Sequence, residues 1–235
     1  LEMLNFEKKA LGIYISGHPL DEAPMLASLA TDTTLTVPNA AAEATGKWGA
    51  KVILAGVIAS VEHKVTKTGK SMAFLVFSDS SGTLRITCFN RAYEAIREDL
   101  VEGVPVALVC SVKDEGEGEL LVSLEDVIDE AAASRLAPEL HLILNTPRTV
   151  EEDQNLDRYL RQLSQKGAPP LVIQGILEQD VPYIVDTDFQ VPEAKLRKVA
   201  EELGAQIISM PSRQAALKRR EAPRKPKGNG WKPTN

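Results

Sequence analysis

Cysteine is scarce. The 235 residues contain two, Cys88 and Cys110, each inside an apolar run and neither in a CxxC spacing, which argues for buried reduced thiols rather than a metal site. Histidine is equally thin: His18, His63 and His141 fall on separate stretches. There is no HExxH, no GxSxG and no phosphate-cradling glycine loop. No catalytic or metal-ligating constellation is therefore expected, and no cofactor. No run approaches the ~20 apolar residues of a membrane span, and no signal peptide is visible, so a cytoplasmic protein with no membrane partner is expected. Residue 1 is Leu rather than Met, and the first turn reads as a helix already under way, so a fragment of a longer polypeptide is expected.

What is present is ordinary for a globular protein: 43% hydrophobic and 26% charged residues, on a length sufficient for two modest cores. The net charge of −6 conceals segregation. Residues 47–91 hold seven Lys/Arg against two acids, residues 94–130 two against twelve, and residues 213–235 eight against one. Binding to a polyanion depends on local potential, so overall acidity does not exclude it.

The chain divides into four parts. Residues 1–49 form a short helical lead-in and connector: a helical pattern from Leu4 to Leu11, a turn forced by Gly17 and Pro19, a second short helical stretch, and a Thr/Ala-rich link. From residue 50 to 130 the period changes to two. Val52 to Val61 is β-rich, with Gly56 marking a bulge or sharp bend. Met72 to Ser78 is a second strand, Asp79 to Gly82 a tight turn, and Thr83 to Phe89 a third strand. Arg91 to Leu100 is helical, and Val104 to Val112 and Glu119 to Ile128 complete five strands. Strand, strand, strand, helix, strand, strand is the order of a five-stranded OB-fold β-barrel. Residues 135–211 alternate strands and amphipathic helices and read as a small α+β domain. Leu156, Tyr159, Leu160 and Leu163 are expected on the apolar stripe of its first helix. The fold class is thus mixed. Residues 212–235 are basic and Pro/Gly-rich and read as a disordered tail.

The acids between Asp114 and Glu130 read as a solvated loop and strand face rather than a catalytic pair. The barrel offers a better site. OB-folds bind single strands with basic loops and aromatic platforms on strands 2 and 3. Alternation puts Phe74, Val76 and Ser78 on one face of the second strand and Arg85, Thr87 and Phe89 on one face of the third, with Leu84, Ile86 and Cys88 pointing inward. Phe74 and Phe89 can stack on bases, and Arg85 can stack or meet a phosphate. Lys64, Lys67 and Lys70 of the preceding loop suit phosphate contact, with Gly69 letting the loop bend. The nucleic-acid-binding candidates are therefore Lys64, Lys67, Lys70, Phe74, Arg85, Thr87 and Phe89. An OB-fold that binds only protein, through the acidic fourth and fifth strands, is the alternative.

Residues 7–21, EKKALGIYISGHPLD, together with VTKTGKSMAF at 65–74 and the Asp79–Gly82 turn, resemble the region of the bacterial DNA polymerase III alpha subunit that leads into and builds its OB domain. Phe189-Gln190-Val191 and the helix ending at Gly204 are similar to the end of some alpha subunits' C-terminal domain. The resemblance implies the C-terminal portion of a DNA-directed DNA polymerase, a nucleotidyltransferase acting in DNA replication, whose catalytic aspartates lie upstream with no counterpart here. It implies that the OB domain lies near single-stranded template DNA. It further implies that the C-terminal domain docks the tau subunit of the clamp loader, among other holoenzyme subunits. An error-prone relative of the same family shares much of this signature.

Overall fold

A computed structural model describes residues 18–43, 49–116, 119–177 and 181–219. The expected first helix, Leu4 to Leu11, and the tail beyond Arg219 lie outside the described residues.

The lead-in begins with a 3₁₀ turn, Pro19–Glu22. His18 caps it: Nδ1 accepts from the Leu20 N–H at 3.1 Å, while Asp21 accepts from the His18 N–H at 2.7 Å. Helix α1 (Pro24–Leu29) follows and buries Leu26 and Leu29. The link read as a connector is more ordered than its composition suggested. Asp32 bridges in parallel to Leu54, and α2 (Val37–Glu43) buries Val37 and Ala41 in the barrel core.

The barrel comprises β1 (Ala50–Val65), β2 (Ser71–Ser78), β3 (Thr83–Cys88), β4 (Pro105–Gly116) and β5 (Glu119–Ile128), closed in the order β1-β2-β3-β5-β4. Helix α3 (Asn90–Ile96) sits between β3 and β4 and continues into a 3₁₀ turn, Arg97–Asp99. This is the OB-fold topology predicted from the strand order. Strand β1 is long because it serves two partners: residues 50–57 pair with β4 and residues 57–65 with β2. Gly56 stands at the changeover, and the register slips between Ile58 and Ser60. A Cβ at Gly56 would lie 2.3 Å from the Ser78 carbonyl oxygen and 2.7 Å from the Phe77 ring. The bend therefore needs a residue without a side chain, as its place in the strand predicted.

After a one-turn helix, α4 (Glu130–Ala133), a second sheet forms from β6 (Pro138–Ile143), β7 (Pro170–Leu177), β8 (Val181–Gln190) and β9 (Gln206–Pro211), in the order β8-β7-β6-β9. Helices α5 (Val150–Leu163) and α6 (Glu193–Leu203) cover one face, where Leu140, Leu142, Leu156, Leu160, Leu196 and Val199 form a core of their own. Tyr159, placed by period on the buried stripe of α5, is 45% exposed. Its ring lies at the margin of the stripe, where Leu156 and Leu160 already fill the contact.

The disorder expected from residue 212 is corrected for its first turns: Arg213–Lys218 form a helix, α7, with Ser212 capping the Ala215 N–H. The basic composition concealed an apolar side. Ala216 and Leu217 pack with Leu26, Leu29, Ile53, Val109 and Ile128 in a cluster joining lead-in, barrel and α4. At the start of α7, the Arg213 N–H donates to the Glu139 carboxylate at 3.1 Å, and His141 Nε2 lies 3.0 Å from the same group. At its end, the Arg219 guanidinium donates to the Val127 carbonyl at 3.2 Å and faces the buried Asp126 carboxylate. Asp126 thus departs from the solvated face expected for the acids of this region. None of the described helices is long and apolar enough to cross a membrane.

Candidate nucleic-acid interface

The outer surface of β1, β2 and β3 is organised by register. Ser60, Val76 and Arg85 form one cross-strand row. Glu62, Phe74 and Thr87 form the next, and Thr87 continues to Ser123 of β5. Lys64 and Met72 form a third. The inward alternates Ala73, Leu75 and Phe77, with Ile86 and Cys88 opposite, are buried, and Leu84, opposite Phe77, is partly buried against the same core. The two-residue period of each strand therefore puts Phe74 and Arg85 outside as expected. Ser78 does not join them. It is 4% exposed, drawn in where β2 crosses Gly56, so the face ends at Val76.

Phe74 is the centre of the face. It is half-buried, and the Arg85 guanidinium carbon lies 4.6 Å from its ring centroid, a cation–π contact. Val76 is 41% exposed beside it. Phe89 stands one residue past β3, at the N-terminus of α3, and is 46% exposed. Thr87 is half-buried between Phe74 and Ser123.

The loop from β1 to β2 is a built turn. The Thr66 N–H donates to the Lys70 carbonyl at 2.8 Å, the Lys70 N–H to the Thr66 hydroxyl at 3.0 Å, and the Gly69 N–H to the Thr66 carbonyl at 2.9 Å. Gly69 adopts φ +77°, which a glycine reaches at little cost. Lys67 and Lys70 are exposed and make no ion pair among the described residues. Lys64 is engaged: its Nζ lies 2.6 Å from Glu62 Oε1. At the barrel end beneath this hairpin, Tyr93 Oη lies 2.9 Å from His63 Nδ1, with the rings edge to face. This fixes α3 against β1.

Sequence reasoning missed two groups on this face. Met72 extends the apolar strip that Phe74 and Val76 form along β2, and it follows from the same alternation. Glu62 places a carboxylate in the middle row. The Lys64 ammonium, and more weakly the Arg85 guanidinium, hold that carboxyl below the usual Glu value. The β4–β5 hairpin carries the other sign: Asp114, Glu115 and Glu119 are exposed there. Lys113 lies 3.5 Å from Glu115 there. Among the described residues, no group of three or more His, Cys, Asp or Glu could hold a metal ion.

A closed five-stranded barrel with an aromatic and cationic outer face on β2 and β3 defines an OB-fold module, and residues 52–129 match the family model described as an OB-fold nucleic acid binding domain. The chain as a whole is similar to a particular protein, the alpha subunit of DNA polymerase III. It is 33% identical to that of Thermus aquaticus over 178 residues and 32% identical to that of Deinococcus radiodurans over 206 residues. These matches cover 71% and 83% of this chain but 14% and 15% of the relatives' own length. Among solved structures, the mitochondrial single-stranded DNA binding protein Rim1 of S. cerevisiae is 19% identical, covering 33% of this chain and 91% of that one with a TM-score of 0.29.

Proposed function

We propose that this chain is the C-terminal portion of a replicative DNA polymerase alpha subunit, and that its barrel holds single-stranded template DNA across β2 and β3. The observation that carries this reading is the register that gathers Phe74, Arg85 and Lys64 on one outer face, next to a structured loop presenting Lys67 and Lys70. Bases stack on the aromatic ring and the cations meet the backbone, the division of labour by which OB-folds hold single strands without reading sequence. The second sheet docks the tau subunit of the clamp loader. That part rests on the alpha-subunit relationship alone.

The test is fluorescence anisotropy of labelled oligo-dT at several salt concentrations. Each single-strand phosphate contact contributes roughly 0.7 to the slope of log K against log salt. Lys64→Ala/Lys67→Ala/Lys70→Ala is expected to flatten that slope by about 1.4 to 2. Phe74→Ala is expected to weaken binding by roughly 5- to 150-fold, the range for losing one stacked base. Unchanged binding in both variants would remove this face from the site.

A second reading is favoured by Asp114, Glu115 and Glu119 on the β4–β5 hairpin. In a single-strand-binding OB-fold this hairpin loop commonly flanks the ligand, and here it repels phosphate. A barrel that docks a basic protein surface through this hairpin would bind tau or another holoenzyme subunit and show no oligo-dT binding even at low salt.

A further inference from the structure

Residues 47–91 contain two acids, Glu62 and Asp79. Asp79 is buried and fully used within the β2–β3 turn, where Thr34, Ser81 and Gly82 donate to it. Glu62 is thus the one acid of this basic segment that stands in solvent. Its place on the face is central. It pairs in register with Phe74, the proposed stacking platform. Its carboxylate lies 2.6 Å from the Lys64 ammonium two residues along the same strand. Arg85, on the neighbouring strand β3, lies over the same Phe74 ring.

Fold stability does not account for this arrangement. Both side chains of the Glu62–Lys64 pair are about half exposed, and such a pair contributes little to folding. Its effect on a ligand is larger. A phosphate meeting Lys64 has to compete with the carboxylate now paired with it, and a base stacking on that side of Phe74 has to move the guanidinium that covers it.

We infer that Glu62 is a built-in competitor of the nucleic-acid backbone: its carboxylate holds the Lys64 ammonium beside the Phe74 platform, and a single strand must displace it to bind there. This rests on the reading that the β2–β3 face binds single strands. Its consequence is a weakened, rapidly exchanging contact, suited to a template strand that has to move past the barrel.

The experiment is oligo-dT anisotropy against salt for the wild type, Glu62→Gln, Lys64→Ala/Arg85→Ala, and the triple variant. Glu202→Gln, on the exposed side of α6, serves as a remote control, and circular dichroism confirms that each variant is folded. Freeing the Lys64 ammonium to meet a phosphate at about 4 Å is expected to tighten binding by about 5-fold at low salt. The salt slope should steepen by about 0.7 as the Lys64 ammonium becomes available to phosphate. In the Lys64→Ala/Arg85→Ala background the gain from Glu62→Gln should fall below about 2-fold, and Glu202→Gln should change nothing. A wild type that binds, with Glu62→Gln no tighter, overturns the inference and leaves the face intact. An equal gain with both cations removed also overturns it, because simple repulsion would then suffice. Absence of oligo-dT binding in both wild type and Glu62→Gln overturns the reading of the face and the inference with it.

Discussion

Asp79 accepts five hydrogen bonds, from the Ser81 and Gly82 N–H groups, the Ser81 hydroxyl, and the N–H and hydroxyl of Thr34. It closes the β2–β3 turn and ties that turn to the lead-in at once. Burial raises its pKa, but the hydrogen bonds from Ser81 and Thr34 outweigh burial and hold the carboxyl below its ordinary value. The folded pKa is thus lower than the unfolded one. Its contribution to stability is complete above the unfolded value of about 3.9 and is lost as pH falls through the folded value. Asp79→Ala is expected to destabilise the protein by about 2 kcal/mol at pH 7, leaving several donors without an acceptor. In urea unfolding at pH 7 and pH 3, the gap between wild type and variant should narrow at the lower pH, where the carboxyl of the unfolded chain is mostly protonated. A constant gap would mean that the charge is not what holds the turn.

At the scale of the element, β1 explains much of what the sequence did and did not disclose. Residues 52–58 are apolar, four of the seven β-branched, and Gly56 within them announced the bend. Residues 62–65, Glu-His-Lys-Val, are all exposed and carry no two-residue hydrophobic period. They are extended because β2 pairs with them, a tertiary cause no local pattern records. The same holds for α2, an Ala-rich run after Pro38 that reads as a link until its small side chains meet the barrel. Phe74 and Arg85 were legible from alternation alone. The burial of Ser78 was not, because it depends on the approach of β2 to Gly56. That approach is testable. Gly56→Ala would put a methyl group 2.3 Å from a backbone carbonyl, and overpacking of so rigid a site is expected to cost about 3 kcal/mol in urea unfolding. Gly69→Ala meets no atom within 4 Å and carries only the strain of φ +77°, so about 1 kcal/mol is expected there. Equal losses at the two positions would show that backbone strain, not contact, decides both.

Across the whole molecule, the acid-rich surface and the basic face occupy different hairpins of one barrel, and α7 fastens that barrel to the second sheet. Composition marked residues from 212 onward as a tail, since charge dominates there, yet Ala216 is 1% exposed among side chains of the lead-in, β1, β4 and β5. Glu139, buried with His141 and Arg213, anchors the same helix to β6. One short helix thus contacts both sheets, and a charge placed at its buried position should weaken both together. Ala216→Asp is expected to bury an unpartnered carboxylate at a cost of about 3 kcal/mol. Amide hydrogen exchange should then show reduced protection in β1 around Ile53, in β4 around Val109 and in β6 around Leu140. Oligo-dT affinity should be retained, because none of Lys64, Phe74 or Arg85 belongs to this cluster. Loss of protection confined to β6 would mean that the barrel holds without α7, and that the helix serves the second sheet alone.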